Sequence, residues 1–512
     1  MKIDKKIFSR VEANPSCVAE LKRGIEKESL RCNGSGDLSL TPHPVGLGSA
    51  LTHSWITTDF SEAQLELITS VHPKAVECLD ELNDIHRFVW ENLATGEAIW
   101  PCSMPCILPT DPEDIPIGLY GSSNAGIAKT VYRRGLGNRY GKTMQMVSGI
   151  HYNFSFPESF WQTLGIADEP TKTSVYLGMM RNFRRYSWLL IYLFGGSPVA
   201  DLSFNHKESS SLVEMAEGLL GLPFATCLRM SDVGYVSAAQ ENLEISYNSI
   251  KAYCEALTPG LIETYEPYRQ FKPIEGDYQQ LNDAILQIEN EFYSNIRPKR
   301  TSSSNRRLIH ALRENGIEYL EVRCIDLDPF EAGGISAEAC YFIDTFLLAC
   351  AISKSPLDSP KERSSIDKNQ KLVAKTGRDE QLRLSKDGRP SPLQEYAKDV
   401  LDACLAAAEI LDNANKTRAY SHSFQKRFAQ TREPETTLSS QILDSVRKKG
   451  SFIEFSLDLA SQHLQTLKAS PLSRVRQEIY NKEVKRSLRT QKDLEQSPEV
   501  PFDKFLADYV AV

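Results

Sequence analysis

The chain has 512 residues, of which 41% are hydrophobic and 25% are charged, and its formal net charge is −8. This composition is typical of a globular protein, and the length exceeds that of an ordinary single domain. An acidic balance without a basic tract argues against nucleic-acid binding. The chain has no run of about 18 apolar residues, so no membrane span or membrane partner is expected.

The cysteines and the first residues predict a cytoplasmic protein. Eleven cysteines are scattered without a pairing rhythm, which favours free thiols in a reducing compartment. Cys102 and Cys106 have no second Cys/His group to complete a zinc site. The segment that begins at Met1 lacks the apolar stretch of a signal peptide. We expect a cytoplasmic monomer.

Hydrophobic periodicity predicts the elements in chain order. A short helix within residues 4–22 leads into a first strand, Arg23–Arg31, and a turn rich in Gly and Asn follows at Asn33–Gly36. The stretch 120–140, rich in Gly, Arg and Tyr, is interpreted as a ligand loop leading into a helix. A strand is expected over 150–156. Further helices are predicted over 74–93, 172–194 and 242–257.

Composition divides the chain into three parts. Residues 1–352 are expected to form an α+β catalytic body. Residues 353–392 are dense in Lys, Arg, Asp, Ser and Pro and poor in large apolar residues, which predicts an exposed connecting segment. Helical periodicity returns in residues 393–512, for example over 397–411 and 452–467. A helical C-terminal portion packed on the body is therefore expected.

Two acid-rich segments, Arg23–Arg31 and Ile317–Arg323, alternate apolar and charged residues, the period of a strand with one buried face. Glu26 and Glu28 therefore project from one side of the first strand. Glu321 and Arg323 project from one side of the second. Carboxylates beside an arginine suit a site for divalent cations and phosphate, because Mg²⁺ takes oxygen ligands and phosphate pairs with arginine.

Two more acids and a histidine are candidates for the same site. Asp59 and Glu66 are seven residues apart, which could turn both carboxylates toward one point in a helix or across a loop and a strand. His151 and Asn153 share one face of a predicted strand. Ordinary structural explanations also exist: a solvated sheet face for the glutamates and a hydrogen-bonded core position for His151.

These segments occur together with others in a recognisable order. In chain order, the full set of segments, including the two acid-rich ones, is Arg23–Arg31, Gly48–Phe60, Trp100–Pro105, Tyr132–Gly141, Met144–Gln145, Ser148–Phe154, Tyr192–Pro198, Leu228–Tyr235, Gln287–Tyr293, Ile296–Arg300 and Ile317–Arg323. In this order they resemble the proteobacterial type of glutamate–cysteine ligase. The resemblance spans approximately residues 20–350 and is specific at the level of the family.

The resemblance implies a glutamine synthetase-like fold, in which a curved antiparallel sheet forms a funnel surrounded by helices. It also implies ATP-dependent joining of the γ-carboxylate of L-glutamate to the amine of L-cysteine through γ-glutamyl phosphate, the first step of glutathione biosynthesis. Roughly two or three Mg²⁺ ions, with Mn²⁺ as an alternative, would neutralise the phosphates and the substrate carboxylate. Feedback inhibition by glutathione is expected, because it shares chemical parts with the product.

Residue roles follow from the same resemblance, position by position. The metal ligands would be Glu26, Glu28, Asp59, Glu66, His151 and Glu321. Arg323 would contact the transferring phosphoryl group and, with Glu321, be catalytic, while Arg297 and Lys299 would be further nucleotide contacts. Polar contacts to the amino-acid substrates would come from Arg133, Gln145, Asn153 and Arg229. The cysteine pocket would be formed by Phe60, Tyr132, Leu136, Tyr235 and Tyr293. No general base is identified.

Two alternatives stay open at this point. A carboxylate–amine ligase of the same superfamily could use another acceptor amine, which phosphate release with a panel of amines would reveal. A non-catalytic amino-acid or nucleotide sensor could share the fold. Loss of a proposed metal ligand would favour the sensor, and all six are present in the sequence.

Overall fold

The computed structural model describes residues 1–204, 211–234, 237–241, 243–301 and 307–511. The helices in these residues are α1 Lys5–Ala13, α2 Ala75–Asn92, α3 Asn124–Tyr140, α4 Glu158–Leu164, α5 Glu169–Tyr186, α6 Trp188–Phe194, α7 Ile250–Ile262, α8 Leu308–Asn315, α9 Ala337–Ala351, α10 Pro360–Thr376, α11 Leu393–Asn415, α12 Ala419–Gln430, α13 Leu438–Lys449, α14 Phe452–Ala469, α15 Arg474–Gln496 and α16 Phe502–Val510. The strands are β1 Lys22–Cys32, β2 Ile56–Thr58, β3 Gln64–Ile68, β4 Ala98–Ile99, β5 Ile150–Ser155, β6 Val199–Asp201, β7 Val213–Ala216, β8 Leu219–Gly221, β9 Ile296–Lys299, β10 Tyr319–Ile325, β11 Arg383–Lys386 and β12 Arg389–Pro392.

A seven-stranded antiparallel sheet organises the molecule, in the order β2-β3-β1-β5-β10-β9, with β4 paired to the end of β1. Its register brings distant parts of the sequence side by side. Glu26 lies opposite His151, and Glu28 lies opposite Glu66. Glu321 lies opposite Asn153 on one side and Arg297 on the other. The α+β class with an antiparallel sheet surrounded by helices, predicted from the sequence, is confirmed.

One face of this sheet packs against the main hydrophobic core. Ile25, Tyr152 and Val322, which alternate with the polar residues of their strands, are buried in it. Helices α2, α5, α6 and α9 pack on this side, and Asp344 of α9 accepts hydrogen bonds from Tyr152 and from Arg23 at 2.8 Å each. The pairing of Arg23 with Asp344 lets a buried cation and a buried acid coexist in the core.

Most predicted helices are present, with shifted ends. Residues 172–194 form two helices, α5 and α6, that meet at Ser187, and the helix predicted from 242 begins at Ile250. The stretch 120–140 is mostly helix rather than loop, because Ser123 caps α3 by accepting a hydrogen bond from the N–H of Gly126. Glycine is required at 126, since a Cβ there would lie 2.2 Å from the carbonyl oxygen of Tyr120.

The polar segment 353–392 carries regular structure: the helix α10 and the hairpin of β11 and β12. Ser359 caps α10, and Ile366 and Val373, seven residues apart, are buried beneath it. Ala374 is buried as well, so three apolar side chains anchor this helix, although the charged residues around them hide the periodicity. Its assignment as a connection between two larger parts stays a prediction.

The C-terminal helices contact other parts of the molecule, and the helical character predicted for this part is confirmed. Helix α11 contacts α9 and α12, α15 contacts α2, and α16 contacts α3. Leu506 of α16 packs with Ala128 and Val131 of α3. No helix among the described residues combines the length and the apolarity needed to cross a membrane.

Candidate active site

A cavity of about 900 Å³ lies over the polar face of the central sheet. It is lined by most of the residues that the sequence singled out: Glu26, Glu28, Asp59, Phe60, Glu66, Tyr132, Arg133, Leu136, Gln145, His151, Tyr293, Arg297, Lys299, Glu321 and Arg323. The six proposed metal ligands are therefore gathered around one space rather than dispersed over separate surfaces. Tyr235 lies outside the described residues, so its place in the pocket stays a prediction.

Strand alternation and register explain this convergence. Glu26 and Glu28 are two residues apart on β1, so both face the same side. Their cross-strand partners His151 and Glu66 share that face, because directly opposed residues in antiparallel strands point the same way. Asp59 follows β2 at the turn into β3, where its N–H donates to the carbonyl of Gln64 at 3.0 Å.

His151 is the centre of a first group of donors. Its Nδ1 is 3.1 Å from Glu26 Oε2 and 3.7 Å from Glu321 Oε1, and its Nε2 is 3.4 Å from Glu28 Oε1. One donor atom from each of Glu26, His151 and Glu321 lies within 4.8 Å of the other two. Burial alone would raise the pKa of Glu26, but the hydrogen bond with His151 holds that pKa below its ordinary value.

Glu28, Asp59 and Glu66 form a second group, in which like charges oppose one another. Burial, together with the charge of Asp59, raises the pKa of Glu28. Burial and the charges of Glu26, Asp59 and Glu28 raise the pKa of Glu66 well above its ordinary value. Carboxylates whose charges act on one another in this way favour either protonation or a bound cation.

Three cations surround Glu321. Arg323 Nη1 lies 3.2 Å from Glu321 Oε1, Lys299 Nζ lies 3.3 Å from the same oxygen, and Arg297 Nη1 lies 3.9 Å from Oε2. Burial opposes the ionisation of Glu321, but Lys299 and Arg323 hold its pKa well below the ordinary value. These three cations place positive charge beside the acidic groups. Such an arrangement is suited to binding phosphate together with divalent cations.

The polar face of the sheet, which forms the floor of the cavity, carries buried polar atoms without hydrogen-bond partners in the described part of the chain, as expected for a ligand-binding surface. Glu321 Oε2 and Asn153 Oδ1 are buried, and neither has a hydrogen-bond partner among the described residues. Carboxylate oxygens and an imidazole nitrogen are ligands that divalent cations accept. The donor set therefore fits divalent cations held by Glu26, Glu28, Asp59, Glu66, His151 and Glu321.

Two of the predicted substrate contacts lie at the edge of the cavity or behind it. Asn153 Nδ2 donates to Glu26 Oε1 at 2.9 Å, which orients a proposed metal ligand. Arg229 is 3% exposed; its Nε donates to Asp326 at 2.7 Å, and its Nη2 donates to the carbonyls of Arg323 and Ile325. In this structure Arg229 fixes the backbone that carries Arg323, and its contact with a substrate stays a prediction.

Helix α3 supplies a second wall. Tyr132, Arg133 and Leu136 line the cavity from this helix, and Phe60 lines it from the turn after β2. Burial raises the pKa of Tyr132, and burial raises that of Tyr293 to about 12, so both phenols stay neutral. The result is a partly aromatic cleft beside the acidic floor.

Helices α5 and α10 form a third wall of the cavity, which was not predicted from the sequence. Arg184, Arg363, Asp367 and Lys371 line the cavity there, and Arg184 donates to Asp367 at 2.6 Å. The sequence offered one signal for this helix: Ile366 and Val373 are seven residues apart, a helical spacing, and both are buried in the structure. Lys129 of α3 was missed as well, although it shares a helical face with Tyr132, Arg133 and Leu136.

The comparisons with known proteins agree with this geometry. A family profile described as glutamate-cysteine ligase matches residues 8–373. The chain is 43% identical over 507 residues to a glutamate–cysteine ligase of Pseudomonas fluorescens strain Pf0-1, which covers 98% of this chain and 95% of the relative. The corresponding ligase of Azotobacter vinelandii is 42% identical over 510 residues, covering 98% and 96%.

The chain belongs to the glutamate–cysteine ligase family. Two solved structures support the fold. A crystal structure of the glutamate–cysteine ligase of Francisella tularensis in complex with AMP superposes with a TM-score of 0.90 at 33% identity, covering 96% of this chain and 98% of that one. A bifunctional glutathione synthetase from Pasteurella multocida superposes with a TM-score of 0.71 at 27% identity, covering 90% of this chain and 54% of that one.

Proposed function

We propose that this protein joins the γ-carboxylate of L-glutamate to the amine of L-cysteine at the expense of ATP. The observation that carries the proposal is the convergence of six metal-type donors with Arg323, Arg297 and Lys299 on one sheet face. Membership of the family supports the reaction class. The AMP complex of the Francisella relative supports a nucleotide as co-substrate.

A carboxylate resists attack by an amine, so the γ-carboxylate of glutamate is first activated. The γ-phosphoryl group of ATP passes to an oxygen of that carboxylate, and ADP leaves. The neutral amine of cysteine then attacks the acyl carbon, phosphate departs with the bonding electrons, and the amine loses its proton as the amide forms. Phosphoryl transfer depends mostly on positioning and on neutralising charge.

The residues of the floor divide this task. Arg323 stabilises the phosphoryl group in transfer, and Glu321 and the backbone bonds from Arg229 hold it in place. Lys299 and Arg297 contact the remaining nucleotide phosphates. Bound Mg²⁺ would neutralise the phosphates and the γ-carboxylate. Glu26, His151 and Glu321 would hold one ion, and Glu28, Asp59 and Glu66 would hold a second.

The wall of α3 receives the acceptor. Phe60, Tyr132, Leu136 and Tyr293 line this part of the cavity, and their mostly apolar and aromatic surface suits the short polarisable side chain of cysteine. Gln145, also on the lining, would contact the amino-acid portion of glutamate. Glutathione carries both a γ-glutamyl and a cysteinyl part, so it would compete for the same surfaces and inhibit.

The test is ADP formation by the purified protein with ATP, Mg²⁺ and glutamate, with and without cysteine. We expect ADP release that depends on cysteine and a product identified as γ-glutamylcysteine by mass spectrometry. L-Serine is the matched acceptor, because it replaces only the thiol. Equal rates with serine, or a faster rate with another amine, would replace cysteine as the acceptor, and a rate of zero with every amine would overturn the ligase proposal.

The acyl phosphate has a separate test. Glutamate labelled with heavy oxygen in its γ-carboxylate should transfer one labelled oxygen to inorganic phosphate in each turnover. Unlabelled phosphate would exclude this intermediate while leaving the overall reaction intact.

A further inference from the structure

Lys129 lies on the face of α3 that lines the cavity. Tyr132, Arg133 and Leu136 follow it by three, four and seven residues, so all four side chains share one side of the helix. From the sequence, Tyr132 and Leu136 were assigned to the cysteine pocket and Arg133 to the amino-acid substrates in general. Lys129 precedes Tyr132 by three residues, so it lies about one helical turn before the proposed cysteine pocket.

The ammonium of Lys129 has no hydrogen-bond or ion-pair partner among the described residues. Its Nζ lies 5.2 Å from the centre of the Tyr120 ring, a cation–π contact. Burial and the nearby charge of Arg133 lower the pKa of Lys129 to about 8. The charge of Glu66 opposes this shift only in part, and no acid among the described residues lies within ion-pair distance of the ammonium. A half-buried cation without an ion-pair partner is costly, and an anionic ligand would relieve that cost.

Arg133, the cation that the sequence suggested for this wall, is already engaged. Its Nε donates to the carbonyl of Asp59, its Nη1 donates to that of Lys129 at 3.0 Å, and its Nη2 donates to that of Thr58 at 3.3 Å. Its guanidinium also stacks 4.4 Å from the centre of the Tyr120 ring. Arg133 therefore braces the wall, whereas Lys129 keeps its donors available.

The other cations of the cavity are paired or belong to another wall. Arg297, Lys299 and Arg323 surround Glu321. Arg184 pairs with Asp367 and Arg363 pairs with Asp358 on the side of α5 and α10. Lys129 therefore has ammonium donors that are free to bind a substrate carboxylate on the α3 side of the cavity, and Glu66 is the acid of the floor whose charge reaches it.

We propose that Lys129 binds the α-carboxylate of the acceptor amino acid and so selects amino acids over simple amines. The inference rests on the proposed function, since it assigns a residue to the acceptor of that reaction. A charge-assisted hydrogen bond from the ammonium to the carboxylate would hold the acceptor amine at a fixed distance from the floor.

The test compares L-cysteine with cysteamine, which has the same thiol and amine but no carboxylate. In Lys129→Met, we expect kcat/KM for cysteine to fall by about 10- to 100-fold, the loss of one charge-assisted bond. For cysteamine it should stay within about twofold of wild type, and KM for glutamate and for ATP should not change. Lys129→Arg, which keeps the charge, should recover most of the cysteine activity.

Controls separate this proposal from the one on which it rests. Lys172→Met removes a lysine of α5 that pairs with Glu158 and Glu169 outside the cavity lining, and it should leave both acceptors unaffected. An equal loss with cysteine and cysteamine, or no loss with either, would overturn the role of Lys129. If Lys129→Met fails to fold, Lys129→Gln provides the same comparison. Failure of the wild-type protein to use cysteine would instead overturn the proposed function.

Discussion

The two faces of the central sheet are made by the same strands and differ in every second residue. On β10, Glu321 and Arg323 face the cavity, whereas Leu320 and Val322 face the core. On β1, Glu26 and Glu28 face the cavity and Ile25 faces the core. A shift of one residue in strand register would turn the polar site residues toward the core and the apolar core residues toward the cavity. The same register therefore determines both the site and the stability of the fold.

Two charged residues of β1, Arg23 and Lys27, depart from this division, and Arg23 is paired with Asp344. Lys27 lies between Glu26 and Glu28 and is buried on the core side, where its Nζ is 2.8 Å from His86 Nε2. Burial lowers the pKa of Lys27 to about 7, so its charge is partly lost near neutral pH. The core face thus accepts a lysine by neutralising it, while the cavity face keeps its acids together and leaves their repulsion to a ligand.

The largest effect on activity is expected for Glu321→Gln, which removes a charge from the cavity face of the sheet. We expect kcat to fall by about 100-fold or more, because the charge that orients Arg323 and would bind a cation is lost. The melting temperature should also fall, because Glu321 is buried among Arg323, Lys299 and Arg297, and its lowered pKa means that its charge stabilises the folded protein. Glu318→Gln is the matched control: it removes an exposed glutamate three residues earlier, and activity should stay normal. Near-normal turnover of Glu321→Gln in saturating Mg²⁺ would contradict the ligand assignment.

The neighbouring residue tests the other face. Leu320→Ala should destabilise the protein by about 3 kcal/mol, because Leu320 is 0% exposed and its truncation leaves a cavity in the core. The folded fraction should turn over within about threefold of wild type. Thermal unfolding and the initial rate below the transition measure the two effects. A large loss of rate without a loss of stability would show that the faces are not separable.

The smallest expected effect is a gain in stability from Glu66→Gln in the presence of a chelator. The raised pKa of Glu66 means that the folded protein keeps a proton that the unfolded chain releases above its ordinary pKa of 4.5. Stability contributed by this group therefore falls as pH rises above that value. The variant should be more stable than wild type by about 1 kcal/mol near neutral pH.

The pH dependence gives this third prediction its control. The difference in melting temperature between Glu66→Gln and wild type should widen as pH rises above the ordinary carboxyl pKa, and Mg²⁺ should stabilise wild type more than the variant. A difference that is constant with pH would show that Glu66 is not held protonated by its neighbours.

The floor could be predicted from the sequence because strand alternation is a local rule. It assigns Glu26 and Glu28 to one face without any knowledge of their neighbours. Their meeting with His151 and Glu321 depends on strand pairings across more than a hundred residues, and only the resemblance to a family supplied that information. Arg229 shows the limit, because an arginine in a matching segment can fix the backbone of Arg323 instead of facing a ligand.

The α10 wall and Lys129 escaped prediction for different reasons. Helix α10 has only three buried apolar side chains, Ile366, Val373 and Ala374, among many charges, so composition outweighed periodicity. Lys129 lies beside residues that were recognised, but a lysine on an amphipathic helix usually faces water. Its lack of an ion-pair partner among the described residues is a property of the folded wall, and no local pattern reveals it.

The thiols of this protein have a consequence for an enzyme that handles a free thiol. All eleven cysteines are reduced and buried. Burial raises the pKa of every one of them, as for Cys32 and Cys404, where it reaches about 12. The thiolate is the reactive form in disulfide exchange. Buried thiols that stay protonated are poor nucleophiles, so we expect disulfide forms of the substrate to react slowly with this protein.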